Sequence, residues 1–187
     1  MMMDDHFYGL SKRKVTISTS GMVPAMTRMI DDTEAALAVS LHAPNDDLRS
    51  ELVPINKKHN IDELMSVCDQ WVEAGPKRSV TYEYVMLEGV NDSRQHAHQL
   101  AKLLKDRAAK VNLIPFNPFP NSGYTRSSEN RIKEFTRILK SKGVFTYPRR
   151  TRGDDIDAAC GQLVGKVQDR SSRHLKFEAP RFGEKNE

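Results

Sequence analysis

Cysteine is nearly absent from this chain. Only Cys68 and Cys160 occur among its 187 residues. A disulfide scaffold, a four-cysteine zinc site and a cysteine-ligated iron-sulfur cluster each need more thiolates than that. The chain's own cysteines therefore cannot build any of these centres, and we assign it no metal ligands.

Long hydrophobic runs are missing as well. No segment approaches the roughly 18 continuous apolar residues of a membrane span, and residues 1–6 lack the basic-then-apolar profile of a signal peptide. We therefore expect a cytoplasmic protein with no membrane partner. The charge balance leans slightly basic, with 29 Lys and Arg against 25 Asp and Glu. A net charge of +4 favours an anionic partner such as nucleic acid but does not establish one.

Strand and helix patterns alternate along most of the chain. Helices are predicted at 61–74, 95–105 and 128–142, and another begins near Pro24. Strands are predicted at 15–19, 35–41, 79–87, 110–116 and 144–147. Strands separated by helices of this length predict an α/β fold with a parallel sheet, and five strands are too few for a closed eight-stranded barrel. We expect an incomplete parallel βα barrel.

The pattern changes after Tyr147. A charged loop is followed by a short stretch of small residues and then by a polar segment with several arginines. We therefore divide the chain into 1–150, which carries the strands and helices, and 151–187, a loop with a basic tail.

Polar side chains follow several of the predicted strands. Because ligands bind at the carboxyl ends of the strands in parallel α/β folds, these residues are candidates for a binding site. They are Ser18 and Ser20 after the first strand, Ser40 and His42 after the second, and Asn117 after the fourth. Hydroxyl, imidazole and carboxamide groups suit a ligand with amino, carboxylate and ribose groups.

Each candidate also has a structural interpretation. The serines can satisfy loose backbone groups at strand ends. His42 can be a buried histidine bonded to a carbonyl, or can cap the loop that follows it, and Asn117 can bond a turn. Glu83, inside a strand, either pairs with a cation in the barrel interior or contacts a polar group of the substrate.

The two cysteines differ in context. Cys68 lies on the apolar face of a predicted helix and is expected to pack as a small hydrophobic residue. Cys160 lies in a loop between Ala159 and Gly161, where nearby arginines favour its thiolate and nearby aspartates oppose it. The sequence leaves its reactivity open. The basic segments 12–14, 149–152 and 166–181 are either phosphate contacts or solvated charge, and Tyr124 and Arg126 are candidates for stacking on a base.

Five long motifs closely resemble the RlmN family of dual-specificity RNA methyltransferases, which belong to the radical S-adenosylmethionine (radical SAM) enzymes. The motifs occur in order along the chain. They are GLSKRKVTISTSG at 9–21, SLHAPND at 40–46, VPINKK at 53–58, NLIPFNP at 112–118 and TRGDDIDAACGQL at 151–163.

The resemblance implies a function. The family methylates carbon 2 of an adenine in 23S rRNA and in certain tRNAs, using S-adenosyl-L-methionine, a 4Fe-4S cluster and a reductant. By this resemblance, Ser18, Ser40, Leu41, His42 and Asn117 match positions that bind S-adenosylmethionine. Cys160 matches the catalytic cysteine that becomes S-methylated, and a radical formed on its methyl group adds to the adenine.

The sequence also departs from the family. The three-cysteine cluster motif, the Gly-Glu-Pro segment and the second catalytic cysteine have no counterpart in these residues. We therefore expect the carboxyl-terminal portion of such an enzyme, carrying the later strands of its partial barrel and inactive alone. The open alternatives are a sister enzyme that methylates carbon 8 of the adenine and a non-catalytic RNA-binding remnant.

Overall fold

A computed structural model of the chain describes residues 15–119 and 122–149. Strands and helices alternate throughout these ranges. In chain order they are β1 (Thr16–Thr19), α1 (Val23–Asp32), β2 (Ala36–Ser40), α2 (Asp46–Leu52), a short 3-10 helix (Pro54–Lys57), α3 (Ile61–Glu73), β3 (Val80–Met86), α4 (Arg94–Leu103), β4 (Ala109–Pro115), α5 (Glu129–Ser141) and β5 (Phe145–Pro148).

The five strands form one parallel sheet in the order β1-β2-β3-β4-β5. Each strand is the sheet neighbour of the strand that precedes it in the chain, as right-handed βα units produce when they follow one another around a barrel. The expected α/β fold is confirmed. The division at residue 150 stays a prediction, because residues 150–187 lie outside the described ranges.

The hydrophobic core lies between the helices and one face of the sheet. Trp71 of α3 and Phe135 of α5 are almost completely buried there, and the ring of Phe135 lies 5.4 Å from that of Tyr84 on β3. Because strand side chains alternate, the residues between these core positions occupy the other face. Those residues are half-buried or exposed, apart from the small buried Ala38, and we call this surface the open face.

Side-chain caps explain where four of the helices begin. Asn45, Asn60, Ser93 and Ser128 each accept a hydrogen bond from a backbone N–H in the first turn of the following helix. The boundaries predicted for α3, α4 and α5 differ from the observed ones by at most two residues. The sequence-based prediction missed α2 altogether. No helix in the described ranges is long and apolar enough to span a membrane.

Candidate functional site

Ser18 and Ser40 lie on adjacent strands of the open face. Ser18 pairs in register with Ala38, and Ser40 is two residues further along β2, so both hydroxyls share one face near the carboxyl ends of their strands. Ser18 is exposed and Ser40 is half-buried. Both hydroxyls therefore lie close to the carboxyl ends of the strands, where ligands bind in parallel α/β folds.

Ser40 begins a row of polar residues across the open face. In register it pairs with Glu83, Glu83 pairs with Asn112, and Asn112 pairs with Tyr147. The Oδ1 atom of Asn112 is buried and accepts no hydrogen bond within the described ranges. Glu83 forms no ion pair with another described residue, so the cation pairing considered from the sequence is not seen there.

His42 follows β2 with an unusual backbone. Its φ is +58°, a conformation that few residues other than glycine adopt. The ring Nδ1 accepts a hydrogen bond of 3.3 Å from the N–H of Val85, so this nitrogen serves as an acceptor. Burial, together with the charge of Arg49, lowers the pKa of His42 to about 4, while a hydrogen bond with the backbone of Glu83 acts in the opposite direction. The imidazole is therefore neutral near pH 7.

Asn91, in the loop between β3 and α4, holds the main chain of His42. Its Nδ2 donates to the carbonyl oxygens of His42 at 2.8 Å and Val85 at 2.6 Å, and its Oδ1 accepts from the N–H of Leu87 at 2.8 Å. The hydroxyl of Tyr84 donates to the backbone oxygen of Asn91 at 2.7 Å. Asn91 is fully buried, and its bond to the carbonyl oxygen of His42 helps to hold the strained turn there.

Arg49 on α2 is a fully buried cation beneath the ends of β1 and β2. It donates to the backbone oxygens of Ser20 at 2.7 Å and Ser40 at 3.2 Å, and to Oδ1 of Asn56 at 2.8 Å. No Asp or Glu forms an ion pair with it in the described ranges. Its burial lowers its pKa, while the carboxylate of Asp46 acts in the opposite direction. The guanidinium therefore joins the two strand ends that carry the candidate serines.

The sequence did not single out Arg49, Asn56 or Asn91. A buried arginine looks like a surface residue in a sequence pattern, since charged residues are rarely buried. Asn91 precedes Asp92 and Ser93, a run typical of a loop before a helix cap. This run predicts a turn before a helix, but it does not predict that Asn91 supports the main chain of His42.

Two other predicted binding residues lie nearby. Leu41 is buried in the core, and its N–H donates to the backbone oxygen of Glu83 at 3.0 Å. Asn117, two residues beyond β4, is half-buried and makes an interaction of its own. Both residues follow the carboxyl ends of their strands, at the same edge of the sheet as Ser40 and His42. Their role in ligand binding stays a prediction.

Cys68 is buried on α3, and burial raises the pKa of its thiol to about 11. The expectation that it packs as a hydrophobic residue agrees with its place in the core. Cys160 lies outside the described residues, as do the basic segments 12–14 and 166–181. The ring of Tyr124 is half-buried and packs edge-on against Phe116, with centroids 6.3 Å apart.

We call the carboxyl ends of β1, β2 and β4, which carry or precede Ser18, Ser40, His42 and Asn117, the rim. The donor groups of this rim suit S-adenosylmethionine and do not suit a 4Fe-4S cluster. The ligand has hydroxyl, amino and carboxylate groups, and the rim presents two serine hydroxyls and a neutral imidazole. Residues 15–119 and 122–149 contain no group of three or more His, Cys, Asp or Glu that could hold a metal ion. The two cysteines of the sequence are too few for a cluster.

Comparison with known proteins identifies the family of the chain. Residues 3–101 match the model of the radical SAM superfamily. The chain also superposes on a radical SAM methyltransferase from Sphaerobacter thermophilus with a TM-score of 0.81 and 46% sequence identity. That match covers 86% of this chain.

The chain belongs to the radical SAM superfamily.

The match covers 47% of the Sphaerobacter thermophilus protein, so the chain spans about half the length of that radical SAM relative. A second similar structure is a domain of pyruvate-formate lyase-activating enzyme from Bacteroides vulgatus ATCC 8482, with a TM-score of 0.56 and 14% identity over 72% of this chain and 80% of that one. At this identity the likeness concerns the fold alone. The five-stranded sheet is therefore part of a radical SAM partial barrel, and members of the superfamily use S-adenosylmethionine with a 4Fe-4S cluster.

Proposed function

We propose that this chain is the carboxyl-terminal portion of an RNA methyltransferase that methylates carbon 2 of an adenine in 23S rRNA and tRNA. The observation that carries the proposal is the 46% identity to a radical SAM methyltransferase, combined with the placement of Ser40 and His42 at one rim. The long motif around Cys160 supports the RNA substrate, because it resembles the family's methyl-carrying loop.

The rim residues bind and orient S-adenosylmethionine. The hydroxyls of Ser18 and Ser40 offer donors and acceptors to its ribose and amino acid groups, and Asn117 adds a carboxamide. His42 contributes a neutral ring, which avoids placing a second cation beside Arg49. When bound, S-adenosylmethionine would supply the methyl group and would also be the precursor of the radical. Carbon 2 of adenine is not nucleophilic, so a radical route suits the reaction.

The residues of this chain do not fit the iron-sulfur cluster. Its two cysteines are accounted for by the core position of Cys68 and the proposed methyl carrier Cys160. Cluster ligands must then come from residues other than these 187. We therefore expect these residues alone to methylate no RNA.

A fusion protein tests the proposal. The chain is joined in frame behind the amino-terminal half of the Sphaerobacter thermophilus relative, loaded with its cluster, and incubated with S-adenosylmethionine, the reductant dithionite and 23S rRNA fragments. We expect mass spectrometry to detect 2-methyladenosine with the fusion and none with the chain alone. Replacement of Cys160 by serine (C160S) in the same fusion should abolish the product.

Three outcomes would contradict parts of the proposal. Formation of 8-methyladenosine would assign the chain to the sister chemistry. If the folded, cluster-loaded fusion binds RNA but does not methylate it, the result would favour a non-catalytic remnant. Methylation by the chain alone would refute the view that its cluster ligands lie elsewhere.

A further inference from the structure

Two aromatic side chains are exposed side by side on β5. Phe145 is 64% exposed and Tyr147 is 39% exposed. They are two positions apart on one strand, so both belong to the open face. Their ring centroids lie 6.1 Å apart with an interplanar angle of 60°, so the rings are tilted and not stacked on each other. Within residues 15–119 and 122–149, neither ring is stacked on the other, so each exposed ring can offer a face to another partner.

Positive charge lies next to these rings. Lys110 on β4 is the register partner of Phe145, which places their Cα atoms about 5 Å apart. Lys110 is exposed and forms no ion pair within the described ranges. Arg149 is also exposed, two residues beyond Tyr147. The surface formed by Phe145, Tyr147, Lys110 and Arg149 is called the β5 surface below.

The carboxylate of the open face lies away from this charge. Glu83 is on β3, separated from Tyr147 of β5 by Asn112 of β4. Phosphate groups would be repelled near Glu83 and attracted near Lys110, so an anionic chain would follow the β4–β5 side of the sheet. The charge distribution therefore favours an anionic ligand and predicts that its backbone lies along β4 and β5, away from Glu83.

Exposed aromatic rings beside cations fit single-stranded RNA. Large exposed apolar side chains on an edge strand are usually avoided because they promote association. Bases stack on aromatic rings presented by a sheet, while lysine and arginine bind the phosphates. A second copy of this chain would bring its own Lys110 and Arg149 to the contact, and the like charges would repel.

We propose that the β5 surface binds single-stranded RNA, with one base on Phe145, another on Tyr147 and the phosphates on Lys110 and Arg149. The inference deepens the proposed function, since it rests on an RNA substrate and identifies where these residues contact it. It differs from the sequence-based candidate Tyr124, whose ring is half-buried where it packs edge-on against Phe116.

The test measures RNA binding by the full 187-residue chain without any cofactor. Fluorescence anisotropy follows a labelled single-stranded oligoadenylate at low salt, with Phe145→Leu and Tyr147→Leu as the main variants. Loss of one base stack should weaken binding roughly fivefold or more in each case. With an oligomer of abasic ribose phosphates, the same variants should bind as the wild type does. Because both side chains are exposed, the variants should fold normally, which circular dichroism checks.

Conservative variants separate stacking from general apolar contact. Phe145→Trp and Tyr147→Phe keep an aromatic ring and should keep the affinity of the wild type. Leucine is apolar but has no aromatic ring. Weaker binding by the leucine variants, with normal binding by the aromatic variants, would therefore be specific to base stacking.

A matched lysine pair tests the phosphate contact. Lys110→Gln removes a charge from the open face, and Lys102→Gln removes the same charge from an exposed position on α4, in the helix layer. Lys110→Gln should weaken binding of every oligomer and reduce the salt slope by about one, whereas Lys102→Gln should change neither.

Three results would overturn the inference. They are the absence of RNA binding by the wild-type chain, equal affinity of the leucine variants and the wild type, and a dimer that dissociates in Phe145→Leu. The inference and the proposed function can fail separately. If RNA stacks on Phe145 but the fusion does not methylate RNA, the β5 surface is retained and the methyltransferase function is rejected. If a fusion carrying Phe145→Leu and Tyr147→Leu forms 2-methyladenosine at the normal rate, the methyltransferase function is retained and the β5 surface is rejected.

Discussion

The guanidinium of Arg49 donates a hydrogen bond of 2.7 Å to the backbone oxygen of Ser20, although the two residues belong to different βα units. The same nitrogen also donates to the backbone oxygen of Ser40 at 3.2 Å. The carboxyl ends of β1 and β2 are thereby joined by one side chain of α2. The spacing of the rim thus depends on a residue that is itself inaccessible to a ligand.

Replacing Arg49 by methionine should destabilise the chain by about 2–4 kcal/mol. Methionine fills much of the volume but leaves the oxygens of Ser20, Ser40 and Asn56 without their donor. Urea unfolding followed by circular dichroism measures the change. Arg137→Met, at an exposed position on α5, is the matched control and should change stability by less than about 0.5 kcal/mol. Equal effects of the two substitutions would mean that the buried contacts contribute nothing.

Replacing Asn91 by alanine should also be costly, by about 2–4 kcal/mol, because one side chain serves three backbone groups. The loss should reach the rim, since the carbonyl of His42 loses its donor. In NMR spectra we expect the amide signals of Leu41 and His42 to shift. Asn130→Ala removes the same side chain from an exposed position of α5 and should move neither the stability nor those signals. A stable Asn91 variant with an unchanged His42 turn would contradict the structural role.

Much of the fold follows from the sequence, because apolar residues recur with the right period in α3, α4, α5 and the strands. The missed helix, α2, has no such stripe: its buried residue is Arg49, a charged side chain at the position where a pattern requires an apolar one. The candidate serines and His42 could be predicted because they follow strands. The supports of the rim, Arg49 and Asn91, could not, since the bonds from Arg49 to Ser20 and from Asn91 to His42 join residues 29 and 49 positions apart in the chain.

The pKa of His42 predicts a specific dependence of stability on pH. In the folded chain this pKa is lowered from 6.5 to about 4, so between these values the unfolded chain binds more protons at this residue. The stability contributed by the neutral ring is therefore complete above pH 6.5 and is lost as the pH falls toward 4, by an amount on the order of 3 kcal/mol.

The variant His42→Asn isolates this contribution from those of the other histidines. Asparagine tolerates a positive φ better than most residues and does not titrate in this range. The difference in unfolding free energy between wild type and variant should move in favour of the variant as the pH drops from 6.5 to 4.5. A difference that stays constant over this interval would mean that His42 titrates normally in the folded chain.

Gly21 is the position at which a single methyl group should be most damaging near the rim. Its φ is +104°, and an added Cβ would lie 3.1 Å from Nη2 of Arg49 and 3.3 Å from a methyl group of Leu64. Gly143 has a φ of +82° with no atom within 4 Å of the same position, so it shares the backbone strain without the crowding. Gly143→Ala should lower the free energy of unfolding by about 1–2 kcal/mol.

Gly21→Ala should lower it by at least about 1 kcal/mol more, because the guanidinium of Arg49 cannot move without losing its hydrogen bonds to Ser20 and Ser40. Parallel urea titrations of the two variants measure the difference, and equal losses would show that Arg49 can shift freely beneath the rim.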